Sequence, residues 1–124
     1  MKNKKVLIIV SEDWYFFSHR LDLAKYAIRN GYDIALLSNF HSHKNKIKDL
    51  GIKTYDLGNF RKKLSIINEI KNFYCLYKTI KKFKPNIIHA VSIKISIYTA
   101  ITNIFCKTEL LVTAISGLGY LYIA

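Results

Sequence analysis

Carboxylates are scarce in this 124-residue chain: eight Asp and Glu stand against twenty Lys and Arg, a formal net charge of +12. That imbalance points to an acidic partner such as a membrane surface, a nucleic acid or a phosphorylated substrate, while a composition rich in Lys, Asn and Ile accounts for it equally well. Cysteine is limited to Cys75 and Cys106. They form no short-spaced pair, so neither a disulfide framework nor a zinc site is indicated, and both read as buried thiols of a reducing cytosol. Glycine occurs five times, never as Gly-x-Gly-x-x-Gly after the first strand and never in a phosphate loop ending in Lys-Ser or Lys-Thr. Ordinary dinucleotide and P-loop binding are thereby disfavoured. Proline occurs once, at Pro85. Long apolar runs are missing too: the run after the basic start stops at Val10, and 110–124 is interrupted by Ser116-Gly117-Leu118-Gly119. Neither is a secretion signal or a membrane span. What is present is 51% hydrophobic residues, ample for the core of one domain.

The chain is organised around residues 5–38. Residues 5–10 (KVLIIV) form a continuous, β-branched apolar run that fits a strand buried on both faces. Residues 11–18, with four consecutive aromatics, read as a loop at the carboxyl end of that strand, where open α/β sheets bind ligands. Residues 19–30 read as a helix with Leu21, Ala24 and Ile28 on one side, stopped at Asn30-Gly31, and 33–38 as the second strand. A loop from Phe40 leads into a short basic helix closed by Gly51, and 52–57 is the third strand. After the basic connector 58–64, Ser65 is the expected N-cap of a long helix reaching Lys84, with Ile66, Ile70, Phe73, Tyr77 and Ile80 on its apolar face and Lys71, Lys78 and Lys82 opposite. Residues 86–91 and 110–115 give the last two strands. The helix between them, capped by Ser92, is apolar nearly all round and is expected to be covered by neighbours. Strict alternation of strands and helices predicts an α/β fold: a Rossmann-like, doubly wound parallel sheet of order 3-2-1-4-5, spanning 1–124 as one domain.

Several polar residues fall on the expected carboxyl rim. His19 and Arg20 stand at a helix start, where free backbone N–H groups favour anions; Arg20 reads either as a bidentate phosphate contact or as an ion pair with Asp22 or Asp13. His89 is expected at the end of the fourth strand, with Ser92 and Lys94 just beyond, and reads as either a rim group or a packed core histidine. Ser116-Gly117-Leu118-Gly119-Tyr120 follows a strand, as a tight turn or as a place where a substrate nears the backbone. His41 and His43 have no neighbouring Cys or acid in sequence, so no metal site is read there. Arg61, Lys62 and Lys63 of the connector and Lys71, Lys78 and Lys82 of the long helix read as either a membrane-facing surface or a solvated face. No motif supports nucleic acid.

Taken together, Phe16-Phe17-Ser18-His19-Arg20-Leu21 with Ala24 and Gly31-Tyr32, then Lys84-Pro85-Asn86-Ile87-Ile88-His89, then Val91-Ser92-Ile93-Lys94 with Tyr98, then Ala114-Ile115-Ser116-Gly117-Leu118-Gly119-Tyr120, resemble the N-terminal half of bacterial family 4 glycosyltransferases of the GT-B type. The resemblance implies the acceptor-binding half of a retaining enzyme of capsule, lipopolysaccharide or O-antigen synthesis. It implies no essential metal and a nucleotide sugar, a UDP-sugar by expectation, as donor. The acceptor would be a glycan or a polyprenyl-diphosphate-linked sugar at the cytoplasmic face of the cell membrane. The donor would be held by a C-terminal domain absent from these residues, in the same or a partner chain, so this segment alone is expected to be inactive. On the same footing Trp14 and Phe17 would pack on sugar or lipid, His19, Arg20 and Lys94 would contact phosphate or sugar oxygens, and Ser116, Gly117, Gly119 and Tyr120 would admit the acceptor. Two departures stand out: Val91 occupies a position where many relatives carry a second histidine, and Ile95 one where proline is common. Two other readings stay open, a non-catalytic membrane-docking subunit of a two-chain glycosyltransferase and a generic nucleotide-binding module.

Overall fold

The computed structural model describes residues 4–57 and 66–114. Five parallel strands, β1 (Lys5–Glu12), β2 (Asp33–Asn39), β3 (Lys53–Asp56), β4 (Ile87–Val91) and β5 (Leu110–Ala114), form a sheet of order β3-β2-β1-β4-β5, the order expected from the alternation. The helices are α1 (Asp13–His19), α2 (Leu21–Arg29), α3 (Lys44–Asp49), α4 (Ile66–Phe83) and α5 (Ile93–Cys106).

The period of two along β1 decides the layering. Leu7 and Ile9 point to one side, where α4 and α5 pack through Leu76, Ile80, Phe83 and Ile95; Ile8 and Val10 point to the other, among Phe16 of α1, Ala24 of α2 and Ile47 of α3. A strand covered on both faces needs the unbroken apolar run that this one has. Pro85 ends the α4 pattern, and Asn86 then stitches the sheet's amino edge, its side-chain Oδ1 accepting the Lys5 N–H at 2.9 Å while its own N–H reaches the Lys5 carbonyl at 2.8 Å.

Three expectations are corrected. The segment after β1 is not a loop: β1 continues to Glu12 and the aromatics lie on α1. With no Gly or Pro to break it and Asp13 at its positive end, helix is the favoured conformation. Phe16 is wholly buried by it. Second, the expected apolar face of α4 is rotated. The helix has two apolar stripes, and the one seated on the sheet by the short link to β4 is Leu76, Ile80 and Phe83 with Asn72 and Thr79, leaving Ile66, Ile70 and Tyr77 exposed. Third, α5 is covered on its sheet side alone, through Ile95, Ser96, Thr99 and Thr102, while Ile93, Ile97, Ile101, Ile104 and Phe105 are exposed. Cys75 and Cys106 are free thiols but only half-buried. No helix among the described residues is long and apolar enough to cross a membrane.

Candidate functional site

In an order of 3-2-1-4-5 the chain reverses direction of winding between β1 and β4, so a crevice opens beyond the carboxyl ends of those two strands. It is present here as a hollow of about 130 Å³ lined by Val10, Ser11, Glu12, Trp14, Tyr15, Val91 and Ser92. Trp14 is half-exposed at its mouth, its ring edge-on to Tyr15 at 6.0 Å. On the opposite wall Ser92 occupies the N-cap position of α5 with φ 90° and ψ 158°, in a region that costs a non-glycine residue of order 1–3 kcal/mol. Its N–H is tied to the Ala114 carbonyl at 2.8 Å, but its hydroxyl does not cap the helix as expected. The first-turn N–H groups of α5 are left without that side-chain cap.

Beside the crevice, His19 and Arg20 lie at the junction of α1 and α2, His19 closing α1 and Arg20 serving both as its C-cap and as the N-cap of α2. His19 is stacked on Tyr15 at 4.4 Å between centroids, with its Nδ1 2.8 Å from the Ser18 hydroxyl. Arg20 lies over the Tyr15 ring at 5.9 Å and donates to the His19 carbonyl at 3.3 Å. Neither Asp22 nor Asp13 forms an ion pair with it among the described residues. Its Nε is buried and unpartnered.

His89 is not at the strand end. It is the third of the five residues of β4, level with Ile8 and Val112, and it lines an apolar groove of about 300 Å³ between α2 and the sheet, whose floor runs from Ile34 of β2 to Val112 of β5. Burial, with Arg20 adding its positive charge, holds the imidazole below its ordinary pKa, so it is neutral at pH 7. Lys94 lies 3.5 Å from Glu69 of α4 and over the Tyr98 ring. Phe17 faces away from the crevice, against His43 at 4.8 Å. Of the residues picked from sequence, the fold therefore gathers Trp14 and Ser92 in the crevice with His19 and Arg20 beside it, and engages Phe17, His89 and Lys94 elsewhere. Ser116, Gly117, Gly119, Tyr120, Arg61, Lys62 and Lys63 lie outside the described residues.

Sequence reasoning missed an acid–histidine cluster on this rim. Asp13, fully buried, accepts the backbone N–H groups of His41 and His43 on one oxygen at 2.9 and 3.0 Å, and Glu12 Oε2 is 2.6 Å from His41 Nε2. These contacts span 28 to 30 residues, so no local motif announces them. Among the described residues no group of three or more His, Cys, Asp or Glu side chains is disposed to hold a metal.

The glycosyl transferase 4-like family pattern matches residues 5–123. No curated protein matches the chain. Among solved structures, a glycosyltransferase from Rickettsia africae superposes with a TM-score of 0.70 at 14% identity, covering 91% of this chain and 30% of that one. MurG from Acinetobacter baumannii gives 0.68 at 15%, covering 88% and 33%, and a UDP-N-acetylglucosamine 2-epimerase from Listeria monocytogenes, itself described as putative, gives 0.64 at 15%, covering 89% and 31%. The chain thus spans about a third of the length of these structures, and at such identities the likeness is one of fold.

Proposed function

The chain belongs to the glycosyl transferase 4-like family, and from that premise we propose that it is the acceptor-side half of a sugar-nucleotide-dependent glycosyltransferase. The observation that supports this reading best is the crevice at the β1/β4 switch point, with an exposed indole on one wall, the open start of α5 on the other and the Arg20 guanidinium beside it. Aromatic faces suit the apolar side of a sugar ring, and a guanidinium suits phosphate. The second domain would present the nucleotide sugar, a UDP-sugar by resemblance. A hydroxyl oxygen of the acceptor bonds to the donor's anomeric carbon as that carbon's bond to the diphosphate breaks, and the hydroxyl proton leaves with the diphosphate, with retention of configuration. What these residues contribute is position: holding the acceptor on one side of the cleft is worth a large part of the barrier.

The acceptor we infer is a polyprenyl-diphosphate-linked sugar of a surface-glycan pathway, which places the domain at a membrane surface. Support comes from the outer faces of α4 and α5, which pack together through Phe73 and Tyr98: Ile66, Ile70, Tyr74 and Tyr77 of α4 and Ile97, Ile101, Ile104 and Phe105 of α5 are exposed, as are Lys71, Lys78 and Lys82. An apolar stripe bordered by lysines fits an anionic bilayer. The same face supports a second reading, a docking subunit whose donor-binding partner is a separate chain.

The experiment is retention of the chain on vesicles with and without a polyprenyl-diphosphate sugar, at low and high salt. Specific retention by the sugar lipid is expected. Binding to any anionic vesicle, indifferent to that lipid, would replace the acceptor reading with the docking one.

A further inference from the structure

The crevice and the apolar groove share one face of the sheet and follow each other along the same two strands. Ile8 of β1 and His89 of β4 stand level in the groove, while Val10 and Val91, two residues further along each strand, line the crevice. Two residues of a parallel strand advance about 6.6 Å, so a gap the size of a diphosphate separates the two hollows. The outer wall of the groove is α2. Leu23, Ala24 and Ala27 line it, and Arg20 stands one turn before Ala24, whose N–H its carbonyl accepts at 3.1 Å. Residues at i, i+3, i+4 and i+7 share one side of a helix, so Arg20 heads the stripe that faces the groove, whereas the exposed Asp22 of the first turn falls on another side. Arg20 Nε and His89 Nε2 are both buried without a hydrogen-bond partner among the described residues, and the Arg20 charge is felt at His89. Buried polar nitrogens of this kind cost free energy until a partner reaches them.

Apart from His89 and the Tyr32 ring, the groove is lined by aliphatic side chains. An apolar hollow headed by a guanidinium fits an anion that carries a hydrocarbon tail: the tail leaves water, and phosphate oxygens accept from the guanidinium. At about 30 Å³ for each water-sized atom, the groove holds about ten carbons, or about two isoprene units. β5 is the edge of the sheet and Val112 is 40% exposed, so the groove is open there for the remainder of a longer lipid to leave. Resting on the acceptor reading above, we propose that the groove between α2 and the sheet seats the first isoprene units of the acceptor lipid, with its diphosphate on Arg20 and His89 and its sugar in the crevice. Lipid, diphosphate and sugar then lie in sequence along β1 and β4.

NMR of the whole chain with farnesyl diphosphate and with inorganic diphosphate tests this. Nuclear Overhauser contacts between the prenyl protons and the methyl groups of Ile87 and Val112 are expected. Inorganic diphosphate is expected to bind at least tenfold more weakly, since it leaves the groove empty. Ala27→Phe, which fills the groove from α2, should weaken farnesyl diphosphate at least tenfold and leave inorganic diphosphate unchanged, and the contacts in the unaltered chain decide the matter whether or not that variant folds. Equal affinity for the two anions, or no prenyl contact with these methyl groups, overturns the proposal. So do contacts to them from protein protons of a second copy or of another segment of the chain, either of which would then be the occupant. Phosphatidylcholine vesicles carrying polyprenyl-diphosphate N-acetylglucosamine separate the prenyl seat from the reading it rests on. Sugar-dependent retention with no prenyl contact in the groove removes the seat alone, whereas equal retention by sugar-free polyprenyl diphosphate removes the acceptor reading and this proposal with it.

Discussion

One oxygen of Asp13 accepts the backbone N–H of His41 at 2.9 Å, joining the start of α1 to the loop after β2 across 28 residues. The same oxygen takes the His43 N–H at 3.0 Å, and the His43 imidazole is 3.7 Å away. The rim of the crevice is built on this tie. Burial alone would raise the Asp13 pKa, but the two N–H groups and then the nearby histidines outweigh it and hold the carboxyl below its ordinary value. A folded pKa lowered in this way contributes stability that is present above the unfolded value, near 3.9, and is lost as pH falls through the folded one. Asp13→Asn should therefore lower stability at pH 7 by about 1–3 kcal/mol, the range for a hydrogen-bonded charge made neutral. It should also flatten the acid limb of the stability curve below about pH 4. Denaturant melts of both proteins from pH 7 to pH 2.5 measure it; parallel curves would deny Asp13 this role.

His89 acts in the same direction but nearer neutral pH. Its folded pKa is lowered by burial and by Arg20, so the unfolded chain binds the proton more readily. Stability is then complete above about pH 6.5 and declines as pH falls from there towards the folded value. In a carbon-proton NMR titration the His89 imidazole should stay neutral to below the ordinary histidine value of about 6.5, and His89→Gln should remove part of the loss of stability between pH 7 and 5. A normal midpoint for His89 would contradict the environment described for it.

Arg20→Ala is the substitution most able to separate function from folding. The guanidinium Nε is buried without a partner, so its removal relieves a desolvated donor as well as taking away a ring contact, and the melting temperature should change little. Affinity for a polyprenyl-diphosphate sugar should fall at least tenfold, the value of roughly one charge-assisted hydrogen bond. Isothermal titration against the lipid in nanodiscs reads both; unchanged affinity would remove Arg20 from the acceptor site.

How much of this was legible in the chain depends on range. The two-sided apolar run of β1, the stop at Pro85 and the alternation of strands and helices are local signals, and they led to the observed order of the sheet. Trp14 and Ser92 could be placed on the rim because they flank strand ends. The α4 stripe was misjudged because Ile66, Ile70 and Tyr77 are as periodic as Leu76, Ile80 and Phe83, and periodicity does not say which stripe meets the sheet. The partnership of Glu12 with His41 was invisible for another reason: it depends on a register shift in β1 and on which loop stands opposite, both properties of the assembled sheet. Lys94 shows the converse, a residue well placed in sequence that the fold sets beside Glu69.

The exposed stripe has its own consequence. An isoleucine left in water on a surface helix forgoes about 1.5–3 kcal/mol that burial would return, and ten large apolar side chains are exposed on α4 and α5. On a bilayer they would be buried, while Lys71, Lys78 and Lys82 would each add about 1 kcal/mol near anionic headgroups. The two contributions respond differently to salt, since charge attraction is screened within a Debye length of about 8 Å at physiological ionic strength and apolar burial is not. Ile70→Ser with Ile104→Ser should lower partitioning to phosphatidylglycerol vesicles at least tenfold at every salt concentration. Exchanging the three lysines for glutamine should weaken binding at low salt and leave the high-salt remainder intact. If the serine pair binds vesicles as the unaltered chain does, α4 and α5 do not meet the membrane, and the stripe is left for a protein surface.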